Sequence, residues 1–351
     1  MTNRAKIETL RETGVLSSSD WTELLSSWTE DDREYAAGLA REIAQARFGK
    51  QVFIRGIVEF SNYCRNDCYY CGLRCSNRAL VRYRLDESCI LNCCRDGYEN
   101  GFRTFVLQSG EDSLYGPARM AALVRLIKRE FPDCAVTLSV GELEKEDYRL
   151  LREAGADRYL LRHETADETH YGLLHPARQS WKHRMDCLRN LKELGFQTGC
   201  GMMVGSPFQT PELLAKDMLF IRAFEPQMIG IGPFLPHKDT PFAAQKPGSF
   251  ELTLFLLSLC RIMLPDVLLP ATTALGTIRP GGREQGILAG ANVIMPNLSP
   301  QRVRKNYMLY DNKLSSPDPT SVILSRLRDS LSGIGYEITV GRGDYHKETR
   351  L

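Results

Sequence analysis

From residue 51 onward, short apolar runs rich in β-branched residues alternate with segments whose apolar positions recur every three to four residues. That alternation predicts strand–helix units around a parallel sheet, where strands are covered on both faces and helices on one. Eight runs carry the strand pattern, at 52–59, 104–108, 135–140, 158–163, 198–204, 228–234, 268–273 and 292–296. Between them the helical period is clearest at 118–130, 145–153, 181–194 and 211–223. Eight units match the stave count of a closed (β/α)8 TIM-type barrel, an α/β fold. An open doubly wound sheet shares the alternation, and the count favours the barrel. Residues 1–48 read as helical, with Tyr35, Leu39, Ile43 and Ala44 near one face after Asp31 and Asp32. The expected organisation is an N-terminal helical extension over 1–50, the barrel over 51–310, and a C-terminal extension over 311–351 packed on it, with a helix at 322–331.

Polar residues gather where the runs end: Gln108 and Ser109, Thr137 and Ser139, Arg162 to Glu164, Thr272 and Thr273, and Asn297. In a parallel barrel these carboxyl ends converge on one mouth, where active sites lie. Gln108, Thr137, Arg162, Thr272, Thr273 and Tyr307 are therefore the expected substrate-side residues. Each alone is compatible with ordinary polarity of a barrel mouth; the set points to a site. Arg158 begins its run, so it belongs at the opposite end and reads as structural.

Charge narrows the partners. A net +2 from 45 basic and 43 acidic residues gives no overall field for nucleic acid or an anionic membrane. The charged N-terminus lacks the pattern of a secretory signal, and the apolar stretch at 252–260 is shorter than the ~20 residues that span a bilayer. A cytoplasmic location without membrane attachment is expected. With that location, the 11 cysteines point away from a disulfide framework and toward metal, redox or core roles.

Spacing separates those roles. CRNDCYYC at 64–71 follows the first strand run and sets Cys64, Cys68 and Cys71 in one loop. A 4Fe-4S cluster usually takes four cysteines, so three leave one iron open to a small molecule such as the amino and carboxylate groups of S-adenosylmethionine. Zinc on four thiolates is the bland alternative, with Cys75 as the fourth, and an ordinary electron-transfer cluster on the same four is another. The barrel context and Tyr70, an aromatic placed for stacking near an adenine, favour the three-cysteine reading. Cys89, Cys93, Cys94, Cys134, Cys187, Cys200 and Cys260 show no ligand spacing and read as core packing. His163 and His237 have no partner at ligand spacing and read as satisfied polar residues.

Further segments carry a more specific likeness: EFSNYC at 59–64, VLQSGED at 106–112, DRYLLRHETA at 157–166, IGIGPFLPH at 229–237, PATTA at 270–274, PGGRE at 280–284 and NVIMPN at 292–297. In these the chain resembles the HydE family of [FeFe]-hydrogenase maturases, members of the radical S-adenosylmethionine (radical SAM) superfamily, over most of its length. The resemblance implies a barrel enclosing a 4Fe-4S cluster on Cys64, Cys68 and Cys71, S-adenosyl-L-methionine, and substrate. It implies reductive cleavage of the cofactor to a 5'-deoxyadenosyl radical, which attacks the sulfur of a cysteine-bound iron carbonyl cyanide species. The implied partners are the maturase HydG, which delivers that species, and an electron donor such as a ferredoxin or flavodoxin. Cofactor contacts are expected from Tyr70, Ser109, Gly110, Glu111, Glu164, Arg184 and Met203, with Arg184 forking onto the cofactor carboxylate. Their bland counterparts are a capping turn at 109–112, a solvent-facing Arg184, an ion pair of Glu164 with Arg162 or Arg184, and a core-filling Met203. Some members carry extra C-terminal cysteines for an auxiliary cluster; no cysteine follows Cys260, so one cluster is expected. Methylornithine synthase and biotin synthase share the general architecture and stand as alternative enzymes. A carrier that hands on an iron species without turnover is the non-enzymatic alternative.

Overall fold

The eight strand runs become a ring of short staves in the computed structural model, which describes residues 1–347. Three helices precede the ring: α1 (Asn3–Thr13), α2 (Ser18–Ser27) and α3 (Glu30–Phe48). A capping box starts α3, Thr29 and Asp32 each accepting from the other's backbone N–H. The ring proceeds through β1 (Gln51–Ile54), β2 (Gly56–Ser61), α4 (Glu87–Glu99), β3 (Thr104–Ser109), α5 (Pro117–Glu130), β4 (Ala135–Ser139), α6 (Lys145–Glu153) and β5 (Arg158–Leu160). It continues with α7 (Glu168–Leu174), α8 (Trp181–Glu193), β6 (Gln197–Cys200), β7 (Met203–Val204), α9 (Pro211–Phe224), β8 (Met228–Ile229) and β9 (Gly232–Pro233). Then come α10 (Phe250–Met263), α11 (Thr273–Ile278), α12 (Gly282–Leu288), β10 (Val293–Ile294), α13 (Gln301–Arg304), α14 (Thr320–Gly333) and β11 (Glu337–Thr339). Pro117 and Pro211 open α5 and α9 at a position where the missing N–H has no intrahelical partner to lose.

Strands β2, β3, β4, β5, β6 and β8 pair in that order, all parallel. Closure comes from bridges of Met228 to Leu268, Pro270 to Val293 and Ile57 to Asn297, and from β1 beside β10. The expected closed barrel is thus the fold. Its run at 268–273 supplies bridges instead of a ladder, because Pro270 has no N–H to donate. Runs 52–59, 198–204 and 228–234 are interrupted at Arg55, Gly201 and Gly230. At Gly201 an added Cβ would lie 2.1 Å from the Gly230 carbonyl oxygen, so two neighbouring staves approach there without room for side chains.

The strand pleat sorts residues between two interiors. Val58, Phe60, Phe105, Leu107, Val136 and Leu138 join the main apolar core beneath the helices. The alternate positions, Ile57, Glu59, Val106, Gln108, Thr137 and Ser139, face the lumen. The stretch at 252–260 lies inside α10, a buried helix packed along α3. No helix among the described residues is long and apolar enough to cross a membrane.

The tail closes the amino-terminal end of the barrel. Strand β11 pairs with β1, and the chain then runs under the strand starts. There the fully buried Arg158 meets Asp344 at 2.6 Å and donates to the Arg342 carbonyl (2.7 Å) and Thr104 Oγ1 (3.0 Å). Met228, Leu268 and Val293, with Phe53, Met295 and Tyr345 against them, form an apolar layer. The opposite mouth is left for chemistry.

Candidate functional site

The cysteine loop leaves β2 at the carboxyl end of the barrel and is wound tightly by its own backbone. Cys71 N–H donates to the Cys68 carbonyl (3.3 Å), Cys75 N–H to Asn66 (2.8 Å) and Arg65 N–H to Glu111 (2.9 Å). Arg74 forks onto Asp67 with two 2.7 Å bonds, and Arg82 donates to the carbonyls of Leu73 (2.8 Å) and Arg74 (2.6 Å). Two glycines let other segments press close. A Cβ at Gly110 would stand 2.4 Å from the Tyr63 carbonyl oxygen and 2.6 Å from Cys64 Cβ; one at Gly72 would stand 2.2 Å from the Met308 carbonyl oxygen.

Cys64, Cys68 and Cys71 are free and half-buried. Burial pushes the Cys64 thiol up and the Cys68 thiol to about 12, and it pushes Cys71 up further; each also feels the negative charge of neighbouring thiolates. Crowded thiols that resist ionisation become stable thiolates when a cationic metal core lies among them. Among the described residues no three His, Cys, Asp or Glu side chains converge as ligands of one ion. A cubane asks instead for one thiolate on each of several irons. Three free, half-buried thiols on one loop are soft donors that can each take a separate iron, and that donor set fits a 4Fe-4S cluster. Cys75 is exposed, with Arg178 3.3 Å from its sulfur, and Gln179 lies 3.5 Å from Cys68 Sγ.

The expected cofactor contacts surround this loop. Tyr70 is held by an acceptor the sequence reading missed: His175 Nδ1–H donates to the Tyr171 carbonyl (2.9 Å), leaving Nε2 to accept from the Tyr70 hydroxyl (3.1 Å). Burial holds His175 near pKa 3, so it stays neutral. Met203 packs with Leu174, Phe234 and Phe242 against Tyr69 and Tyr70. Ser109 donates to the Gly110 carbonyl (2.7 Å). The Glu111 carboxylate accepts from Arg65 Nε (2.9 Å) and the Glu142 N–H (3.0 Å), tying three loops together. Arg184 is buried, not solvent-facing: its Nε pairs with Glu142 and its Nη1 donates to the Arg162 carbonyl (2.7 Å). With Nε committed to Glu142, Arg184 brings its positive charge to the site with only part of the fork the resemblance implied.

Three of the six expected substrate-side residues share a signature with Glu164, an expected cofactor contact. Thr137 Oγ1, Arg162 Nε and Nη2, Glu164 Oε2 and Thr272 Oγ1 are buried atoms with no hydrogen-bond partner. Leaving such groups unpaired costs about 1–3 kcal/mol each, so their concentration at one mouth marks where a polar ligand belongs. Arg162 and Glu164 approach only to 3.4 Å, an ion pair without a hydrogen bond. Gln108 lies opposite Glu59 and Ser139 in the sheet register. Thr273 opens α11, and its backbone carbonyl accepts from Thr277. Tyr307 is buried, with the Lys313 ammonium 4.9 Å over its ring. Lys313 itself forms a buried ion pair with Glu59, which also accepts from Asn297 Nδ2 (2.8 Å). Glu142, His175, Gln179 and Lys313 were not singled out in the sequence; each acts through a residue far along the chain and leaves no local motif.

Residues 58–221 match the model of the Radical SAM superfamily. The [FeFe] hydrogenase maturase subunit HydE of Thermotoga maritima is 51% identical over 79% of this chain and 78% of its own length. The 3-methylornithine synthase of Methanosarcina acetivorans is 30% identical over 92% and 90% respectively. The solved structure of methylornithine synthase (PylB) superposes with a TM-score of 0.83 at 27% identity, covering 95% of this chain and 97% of the other.

Proposed function

This chain belongs to the radical SAM superfamily and, within it, to the HydE maturase family, and on that premise we propose that it acts in [FeFe]-hydrogenase maturation on a cysteine-bound iron carbonyl cyanide precursor. It is a radical SAM enzyme. Cys64, Cys68 and Cys71 would hold the 4Fe-4S cluster. When bound, the cluster and S-adenosyl-L-methionine together supply an electron and a cleavable carbon–sulfur bond, hence a 5'-deoxyadenosyl radical directed at the precursor's sulfur.

The protein's part is to bind, orient and keep out water. Tyr70, fixed by His175, offers a ring face beside Cys68 and Cys71. Arg184 places a fixed positive charge where the cofactor carboxylate would lie, and Glu164 Oε2 is an open acceptor for its ribose or ammonium. Across the mouth, Thr137, Arg162 and Thr272 present donors to the carboxylate and cyanide oxygens and nitrogens of the precursor. The unpartnered buried atoms of these four residues, on the same mouth as the three thiols, are the observation that carries the reading.

A methylornithine-synthase-like reading is favoured by the near-complete superposition on that enzyme. The two separate in one anaerobic experiment with reconstituted protein, reductant and S-adenosylmethionine. Consumption of the cofactor that depends on an iron carbonyl cyanide cysteine complex, made chemically or by a HydG-type enzyme, is expected. Formation of 3-methylornithine from amino-acid substrate, with no response to the iron species, overturns the maturase reading.

A further inference from the structure

Glu164 is a non-glycine residue at φ 64, in the left-handed region. A side chain in that conformation persists only where its surroundings over-determine it. Here the backbone is held at residues 162, 164, 165 and 166. Arg162 O accepts from Arg184 Nη1 (2.7 Å), and Glu164 N–H donates to the Gly201 carbonyl (3.0 Å). Thr165 O accepts from Trp181 Nε1 (3.3 Å), and Ala166 N–H donates to Asp217 Oδ1 (2.6 Å). His163 is the remaining link: Gly201 N–H donates to its Nδ1 (3.2 Å). That bond assigns the ring proton to Nε2, which lies 3.3 Å from Asp217 Oδ1 without a hydrogen bond. Asp217 comes from α9; it and His163 are fully buried, and Phe220 packs on the imidazole at 4.7 Å.

We propose that Asp217 and His163 are positioning residues for the cofactor side of the reaction. Asp217 Oδ1 anchors Ala166 and sets its charge beside His163, whose Nδ1 holds Gly201, and together they keep Glu164 in its left-handed turn with Arg162 and Glu164 presented to the mouth. Neither residue reaches the lumen itself. The inference rests on the reading of Glu164 as a cofactor contact. Its specific consequence concerns Asp217→Ala. That change removes Oδ1, the single oxygen that accepts from Ala166 N–H and faces His163 Nε2, so both supports of the Glu164 turn are lost together, whereas Asp217→Asn can keep an oxygen in that place.

The test is a titration of the reduced holoenzyme with S-adenosylmethionine, followed by the change in the EPR signal of the cluster. Asp217→Ala is expected to weaken apparent affinity by about 10- to 100-fold, as loss of an orienting partner does, and Asp217→Asn, which keeps the oxygen, to restore it. Unchanged affinity in a fully loaded Asp217→Ala protein overturns the proposal. Should that variant not load, 15N spectra of histidine-labelled, oxidised wild-type holoenzyme decide the matter: a proton on His163 Nε2 is expected, and one on Nδ1 overturns it. A wild-type EPR signal that S-adenosylmethionine leaves unaltered defeats the functional reading, and this inference with it.

Discussion

Gly110→Ala isolates the contact between the β3 loop and the cysteine loop. Gly110 has no positive φ, so alanine suits its backbone and removes freedom from the unfolded chain, a gain of about 0.4–1 kcal/mol. The added methyl, however, would meet the Tyr63 carbonyl oxygen at 2.4 Å and Cys64 Cβ at 2.6 Å, where ordinary contact begins at 3.4 Å. Neither is the end of a flexible side chain, so the cysteine loop must retreat by roughly 1 Å. Overpacking of this kind costs about 1–3 kcal/mol, which offsets the backbone gain and leaves a net loss of up to about 2.5 kcal/mol. Function should suffer more than stability. Moving a reacting group by about 1 Å reduces rates on the order of 100-fold, and Cys64 is an expected cluster ligand. Iron content, chemical denaturation and the rate of 5'-deoxyadenosine release, measured on the same preparation, separate the two effects. A Gly110→Ala protein with wild-type iron content and a rate within about twofold of wild type would refute the reasoning.

Lys313→Met strands the buried Glu59 carboxylate and should lower unfolding free energy by about 3–5 kcal/mol in denaturant titrations, whereas Lys313→Met combined with Glu59→Leu should recover most of it; equal losses in both would count against the buried pair. His175 is neutral in the fold with pKa near 3 and ordinary in the unfolded chain, so the unfolded state binds the extra proton between about pH 6.5 and 3. Its contribution to stability therefore falls as pH drops through that window, by up to ~1.4 kcal/mol per unit, and is constant above it; His175→Gln should flatten the slope, and an unchanged slope would assign it to another group. Asp344 is pushed up by burial but held at about 2 by Arg342 and Arg158, so Asp344→Asn should destabilise the apo-protein by about 2–2.5 kcal/mol at neutral pH and much less near pH 2, checked by calorimetry. Cys75→Ala should leave cluster loading intact, because Cys75 is exposed beside Arg178; loss of iron on that substitution alone would favour a four-cysteine site.

The barrel was legible because period and composition agree along each stave. Thr104 to Ser109 is a buried apolar run ending in polar residues, and it becomes one strand whose end faces the mouth. The same logic singled out Thr137, Arg162, Glu164 and Thr272, positions that carry unpartnered buried atoms. Helix α10 escaped because a helix buried all round has no polar stripe to give it a period. Strand β11 is three residues long and is defined by pairing with β1, nearly 300 residues earlier. The partners of the site were hidden for a similar reason. Glu142 and Arg184 are 42 positions apart, Tyr70 and His175 are 105 apart, and Glu59 and Lys313 are 254 apart, so only the closed fold brings each pair together.

The central claim is that three thiolates on one loop hold a cluster that S-adenosylmethionine can reach. It is tested most directly by reconstituting wild type and Cys68→Ala anaerobically, adding dithionite and S-adenosylmethionine, and quantifying 5'-deoxyadenosine. Wild type is expected to release it and Cys68→Ala to release none. No product from a wild-type preparation with a verified 4Fe-4S signal would contradict the account and leave an electron-carrying or iron-carrying role for the same loop.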